Sequence, residues 1–138
     1  MRIMAIDYGD AHTGIAVSDP TGFLAGFTTV IDAYRPDIVA ERIALLAREH
    51  GAERLVLGHP INMDGTRGPR SEKAQAMRQL LEETTGLPVV LWDERRTTVD
   101  AHQILFYAGK NAKKRKKVVD AVAASLILEG YLTFKKNH

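Results

Sequence analysis

Five short apolar runs, and the spacers between them, set most of what this chain can become. The first three, residues 1–7, about 14–19 and about 26–31, are separated only by glycine-containing turns, Gly9 to Gly14 and Asp19-Pro20-Thr21-Gly22. Segments joined so closely pair antiparallel, which predicts a three-stranded meander. The fourth run, Arg54-Leu55-Val56-Leu57-Gly58, and the fifth, Leu87 to Trp92, each follow a helix-length amphipathic segment. Pro36 suits the first turn of a helix to about His50, with Val39, Ile43 and Leu46 at core spacing and Gly51 as its stop. A second helix is expected from about Ser71 to Thr85, with Ala74, Met77 and Leu81 as its buried stripe and Gly86 as its cap. Beyond the fifth strand, Thr97 or Thr98 is the expected N-cap of a third helix to Ala108, and a final helix runs from about Lys117 to Phe134. The order βββαβαβαα predicts an α/β protein with a mixed five-stranded sheet flanked by helices.

With 138 residues, 45% of them hydrophobic, the chain is expected to form one domain over 1–138 with a single core. It has no cysteine, which excludes disulfides, thiolate metal sites and thiol nucleophiles and suits the reducing cytoplasm. The segment Met1 to Asp10 meets an acid too early for a signal-peptide core, and no apolar run nears the roughly 20 residues that span a bilayer. A soluble protein with no membrane partner is expected. Net charge is only +2, but Lys110, Lys113, Lys114, Arg115, Lys116 and Lys117 crowd into one segment before Asp120. Such a run is either a solvated face or a phosphate-binding one.

Three carboxylates interrupt this apolar plan. Asp7 ends the first strand, Asp93-Glu94 end the fifth, and Asp120 lies inside the apolar final helix, sharing a helical face with Ala123/Ala124, Ile127 and Tyr131. Burying unpaired anions is costly, so a fold that gathers Asp7, Glu94 and Asp120 around a divalent cation is an economical explanation. Oxygen ligands suit Mg²⁺ or Mn²⁺, and two such ions about 4 Å apart can support phosphodiester hydrolysis. The chain is therefore a candidate metal-dependent hydrolase. Ser18, Thr97 and Thr98 lack a Ser/His/Asp setting and read as capping residues. Trp92 reads as core, and His12 is the one histidine worth testing as a base.

Four motifs surround these acids. Ala5-Ile6-Asp7-Tyr8-Gly9 with Gly14 to Asp19, Gly58-His59-Pro60 through Gly65, Asp93-Glu94-Arg95-Arg96-Thr97-Thr98, and Val119 to Ala124 with Ile127-Leu128 and Tyr131-Leu132, in that order, closely resemble the YqgF family, also called RuvX. The resemblance spans almost the whole chain. It implies an RNase H-like fold related to RuvC-type Holliday-junction resolvases, and a nuclease that processes the precursor of 16S ribosomal RNA. Carried over by position, the family's acids fall on Asp7, Glu94 and Asp120, as catalytic metal ligands. Asp93 rivals Glu94, because neighbours on a strand point to opposite faces and only one of the two would join the others. Three positions depart from the family pattern without removing a ligand. Ala11 and His12 stand where many relatives carry basic residues, His59 replaces an apolar residue before Pro60, and Arg96 replaces another.

Nucleic acid is the expected partner. Arg67 and Arg70 lie in a polar loop from Asn62 to Arg70, and with Arg95, Lys113, Lys114, Lys116 and Lys117 they are expected to hold phosphates. RNA, as pre-rRNA, is favoured over branched DNA only through the resemblance. The choice between Mg²⁺ and Mn²⁺, between endo- and exonucleolytic action, and between monomer and homodimer stays open at this level. Two other classes compete. Asp7-Tyr8-Gly9 with Gly14 also resembles the first phosphate loop of actin- and sugar-kinase-type ATPases, although the chain has room for only one such domain and lacks a second glycine-rich phosphate loop. A noncatalytic binding module would keep its acids for folding alone.

Overall fold

Strands β1 (Arg2–Asp7), β2 (His12–Ser18) and β3 (Ala25–Asp32) form the expected antiparallel meander, with Asp7 paired to Gly14 and His12 to Asp32. This computed structural model describes residues 1–22, 25–60, 64–94 and 112–137. Helix α1 (Pro36–His50) returns the chain so that β4 (Ala52–His59) runs parallel to β1, and α2 (Pro69–Thr85) does the same for β5 (Val89–Asp93) beside β4. The sheet order is β3-β2-β1-β4-β5, and helix α3 (Ala112–Lys136) closes the described chain. No helix among the described residues is long and apolar enough to cross a membrane.

Several element boundaries differ from expectation, each for a physical reason. β2 begins at His12 rather than near residue 14, because His12 and Thr13 pair with Asp32 and Ile31. β4 begins at Ala52, which pairs with Arg2. α2 begins at Pro69 rather than Ser71, since proline's fixed φ and missing N–H are harmless in a first turn. Arg70 therefore rides on a helix instead of a loop. The last helix begins at Ala112 rather than Lys117, because lysine and arginine are good helix formers and the basic run extends it. The expected helix from Thr97 or Thr98 to Ala108 lies outside the described residues, as do Arg95, Arg96 and Lys110.

Strand alternation sorts the core onto two faces. Met4, Ile6, Leu55, Leu57 and Val89 pack with Val39, Ile43 and Ala47 of α1 and Ala74, Met77 and Leu81 of α2. Ile3, Ala5, Ala16, Val56 and Trp92 pack against Ala124, Ile127, Leu128, Tyr131 and Leu132 of α3. Trp92 is core, edge-on to Tyr131 and Phe134. Arg54 donates a hydrogen bond to the Tyr131 hydroxyl at 2.8 Å, tying α3 to β4.

Candidate active site

The alternation that builds the α3 face also aims the acids. Ile3 and Ala5 face α3, so Asp7, two residues on, continues that side at the strand end. Val90 and Trp92 do the same on β5, which puts Glu94 on the α3 side, where it hydrogen-bonds Asp7. Asp93 points the other way, toward His59 on the α2 side. Asp120 comes from α3 itself and acts electrostatically on Asp7.

Two glycines on the strands flanking Asp7 make the convergence sterically feasible. Gly14, paired with Asp7 across β1 and β2, lies so close to the backbone carbonyl of Asp120 that no side chain fits between them. On β4, a Cβ added at Gly58 would stand 2.5 Å from Glu94 Oε1 and 2.8 Å from Ile127 Cδ1. One bare position admits the helix that carries Asp120, and the other admits the Glu94 carboxylate.

The electrostatics follow from this crowding. Burial raises the Asp7 pKa, the Asp120 charge adds to the rise, and the Glu94 hydrogen bond and Arg70 oppose it. Burial, the neighbouring Asp7 charge and the hydrogen bond raise the Glu94 pKa to about 7, with Arg70 pulling down and Asp93 pushing up. Asp7 and Glu94 share one hydrogen bond and both are pushed upward by burial, so the pair holds a proton more readily than either carboxyl would alone. Among the described residues, no three carboxylate or imidazole groups stand in an arrangement that holds a metal ion. Glu94 is turned onto Asp7. In kind, however, the donor set fits a hard divalent cation: carboxylate oxygens, partly buried, with more negative charge than Arg70 alone offsets.

A small cleft of about 100 Å³ opens beside Glu94, lined by Tyr8, Gly9, Gly58, Pro60, Arg70 and Lys73 among others. Arg70 acts on Asp7, Glu94 and Asp10 together, so its guanidinium faces the acids from the first turn of α2. Lys73, one turn further on, joins the cleft without having stood out in the sequence. It pairs with Asp10 at 2.9 Å, and its i+3 spacing from Arg70 is the signal that could have found it. Arg67 is exposed and acts on His59. His12 Nδ1 lies 2.6 Å from Asp32 Oδ1, on the register pair of β2 and β3. His59 is buried and within 2.6 Å of the Ser71 hydroxyl. Arg95 and the side chains of Lys113, Lys114, Lys116 and Lys117 lie outside the described residues.

Comparison with known proteins agrees with this architecture. Residues 1–134 match the RuvX family, described as Holliday junction resolvase. A protein of Halothermothrix orenii named as a candidate pre-16S rRNA nuclease is 44% identical over 135 residues, covering 98% of this chain and 96% of the relative. A Bacillus licheniformis protein of the same name is 46% identical over 134 residues, covering 96% of each. Among solved structures, Thermus thermophilus RuvC in complex with a Holliday junction substrate superposes with a TM-score of 0.65 at 13% identity, covering 98% of this chain and 96% of that one. The Fowlpox virus resolvase with Holliday junction DNA gives 0.58 at 12%, covering 98% and 99%. The two structural likenesses establish the RNase H-like fold.

Proposed function

The chain belongs to the RuvX family and is by that membership a nuclease, and we propose that it hydrolyses phosphodiester bonds in the precursor of 16S rRNA, in the cytoplasm, from the acids at the ends of β1 and β5. The observation that carries this reading is the hydrogen bond between Asp7 and Glu94, with the Asp120 charge acting on Asp7, beside a cleft lined by Glu94 and Arg70. Asp7, Glu94 and Asp120 would hold the divalent ion, Mg²⁺ or Mn²⁺. When bound, that ion supplies Lewis-acid polarisation of the phosphate and a lowered pKa for attacking water.

The chain's own groups do the rest. Arg70 presents a planar guanidinium suited to bidentate contact with a phosphate, and Arg67, Arg95, Lys113, Lys114, Lys116 and Lys117 would add positive charge for backbone contact. Glu94 titrates near neutral pH, so it gives up its proton readily when positive charge enters the site. The apolar floor beneath Asp7, made by Ala5, Ala16 and Ile127, keeps bulk water from the inner side of the carboxylates.

The test is to incubate wild type and Asp7→Asn with precursor 16S rRNA, with unstructured RNA and with a four-way DNA junction, adding Mg²⁺, Mn²⁺ or chelator. Metal-dependent cleavage of the precursor that Asp7→Asn abolishes supports the proposal. Cleavage confined to the junction favours the resolvase activity in the family's description. Binding without cleavage under every condition, unchanged in Asp7→Asn, would leave a noncatalytic module.

A further inference from the structure

We propose that the groove between α2 and the turn joining β3 to α1 receives one unstacked base of a single-stranded nucleic acid, next to the phosphate held at Arg70. The inference rests on the nucleic-acid substrate proposed above and adds which form of it the site takes.

The groove has a volume of about 250 Å³ and is walled by Tyr34, Pro36, Ala76, Met77 and Leu80. It adjoins the cleft beside Glu94, since Tyr8, Asp10 and Lys73 line both. Tyr34 is 79% exposed, so a large aromatic ring stands in solvent at the rim without contributing to the core. Its position is nevertheless defined. The Ala33 N–H donates to the Ala11 carbonyl at 3.1 Å, the His12–Asp32 pair lies just before it, and Pro36 starts α1 just after it.

The two cavities divide by chemistry. The cleft offers Arg70 and a polar wall, which suit a phosphate. The groove offers two tyrosines and aliphatic side chains, with its lysine paired to Asp10, which suit a flat neutral ring better than an anion. Lys73 stands where they join, bound to Asp10. A phosphate pushed into the groove would meet apolar walls and the Asp10 carboxylate, whereas a base meets neither penalty. In a duplex the bases are stacked inward and cannot reach such a wall, so the groove selects unpaired segments.

Binding should be measured by fluorescence anisotropy in chelator, so that affinity is read without cleavage. Wild type, Tyr34→Ala, Tyr34→Phe and Ala76→Glu are compared on a short single-stranded RNA and on the fully paired duplex containing that strand. Neither position has a structural role that the change removes, because Tyr34 and Ala76 are both exposed. Stacking on an aromatic side chain is sequence-tolerant, so Tyr34→Ala and Ala76→Glu should weaken single-strand binding about 5- to 100-fold and leave duplex binding unchanged, with Tyr34→Phe close to wild type. With 2-aminopurine scanned along the strand, one position should show stacking-dependent quenching that Tyr34→Ala relieves. Unchanged single-strand binding in both variants, or equal losses on strand and duplex, would overturn the proposal. Tyr34-dependent binding without cleavage in any metal leaves the groove standing and removes the nuclease mechanism. Cleavage with a silent Tyr34 does the reverse.

Discussion

On the α1 and α2 face, large aliphatic side chains fill the sheet to the strand ends, and the last position, His59, is closed off by Ser71 at 2.6 Å. On the α3 face the same strands present Ala5, Ala16, Gly14 and Gly58, and the last positions are Asp7 and Glu94. Side chains that alternate along a strand thus serve two ends. One face is packed for stability up to its edge. The other is pared down near its edge, so that a helix and two strands bring like charges together. The RNase H-like sheet tolerates this because the first face supplies close packing that the second gives up.

The sharpest way to break the comparison is to exchange roles between faces. Asp7→Asn should lower cleavage by on the order of 10³-fold or more while the protein stays folded, read from single-turnover cleavage beside a thermal melt. Ile43→Ala, fully buried in α1, should cost about 2–5 kcal/mol of stability by cavity formation and leave cleavage per folded molecule unchanged. If Ile43→Ala abolished cleavage in protein that remained folded, the separation of roles would fail.

Gly14→Ala tests the pared face directly. The added methyl must displace the Asp120 carbonyl, so α3 shifts away from β2. Overpacking of this kind costs about 1–3 kcal/mol, and here cleavage should fall with it because Asp120 moves from Asp7. Wild-type melting and cleavage in the Gly14→Ala variant would show that the close approach is unnecessary.

The carboxylates should also show in the pH dependence of the metal-free protein. The folded-state pKa of Glu94, about 7, lies above its unfolded value, and that of Asp7 is raised too. For acids shifted upward, the stabilising contribution is complete below the unfolded pKa and is lost as pH rises through the folded one. Denaturant melts should therefore show stability falling from about pH 4.5 to 7, by about 1–2 kcal/mol once solvent screening of partly exposed Glu94 is allowed for. Asp7→Asn should flatten that slope and raise stability at pH 8, and saturating Mg²⁺ or Mn²⁺ should act in the same direction. A flat profile in the wild type would mean that neither burial nor mutual repulsion raises these acids.

Much of this was legible before folding because it depends on local rules. Pro36 and Gly51 bounded α1 as expected, the meander followed from its turns, and the acids stood out against apolar runs. Asp93 and Glu94 were harder to separate, since their roles depend on which residues of β5 face α3. That parity becomes visible only once Val90 and Trp92 are seen on the α3 side. Lys73 carried only its i+3 spacing from Arg70 as a signal, because its partner Asp10 is sixty-three residues away and their pairing needs the folded chain. Gly14 and Gly58 appeared within motifs, but their purpose needed Asp120 and Glu94 in place. Long-range proximity, more than local conformation, was what the residues alone did not reveal.

A paired exchange at the closed edge should be nearly neutral, although its single step is not. Ser71→Ala leaves the buried His59 Nε2 without its 2.6 Å partner and should cost about 1–3 kcal/mol, because a buried polar atom loses its hydrogen bond. Removing both partners, as His59→Leu with Ser71→Ala, should return stability to within about 1 kcal/mol of wild type, since an apolar pair of similar shape needs no satisfaction. Gln75, which also donates to Ser71 at 3.2 Å, sits at the surface and can turn to water. The double variant should keep Arg70 over the cleft and so keep RNA affinity, measured by the same anisotropy titration. At the opposite edge no such exchange is neutral: Asp7→Leu with Glu94→Leu would be well packed and inactive. A double variant at His59 and Ser71 that lost both stability and RNA binding would mean that this edge, too, is held for its polar chemistry.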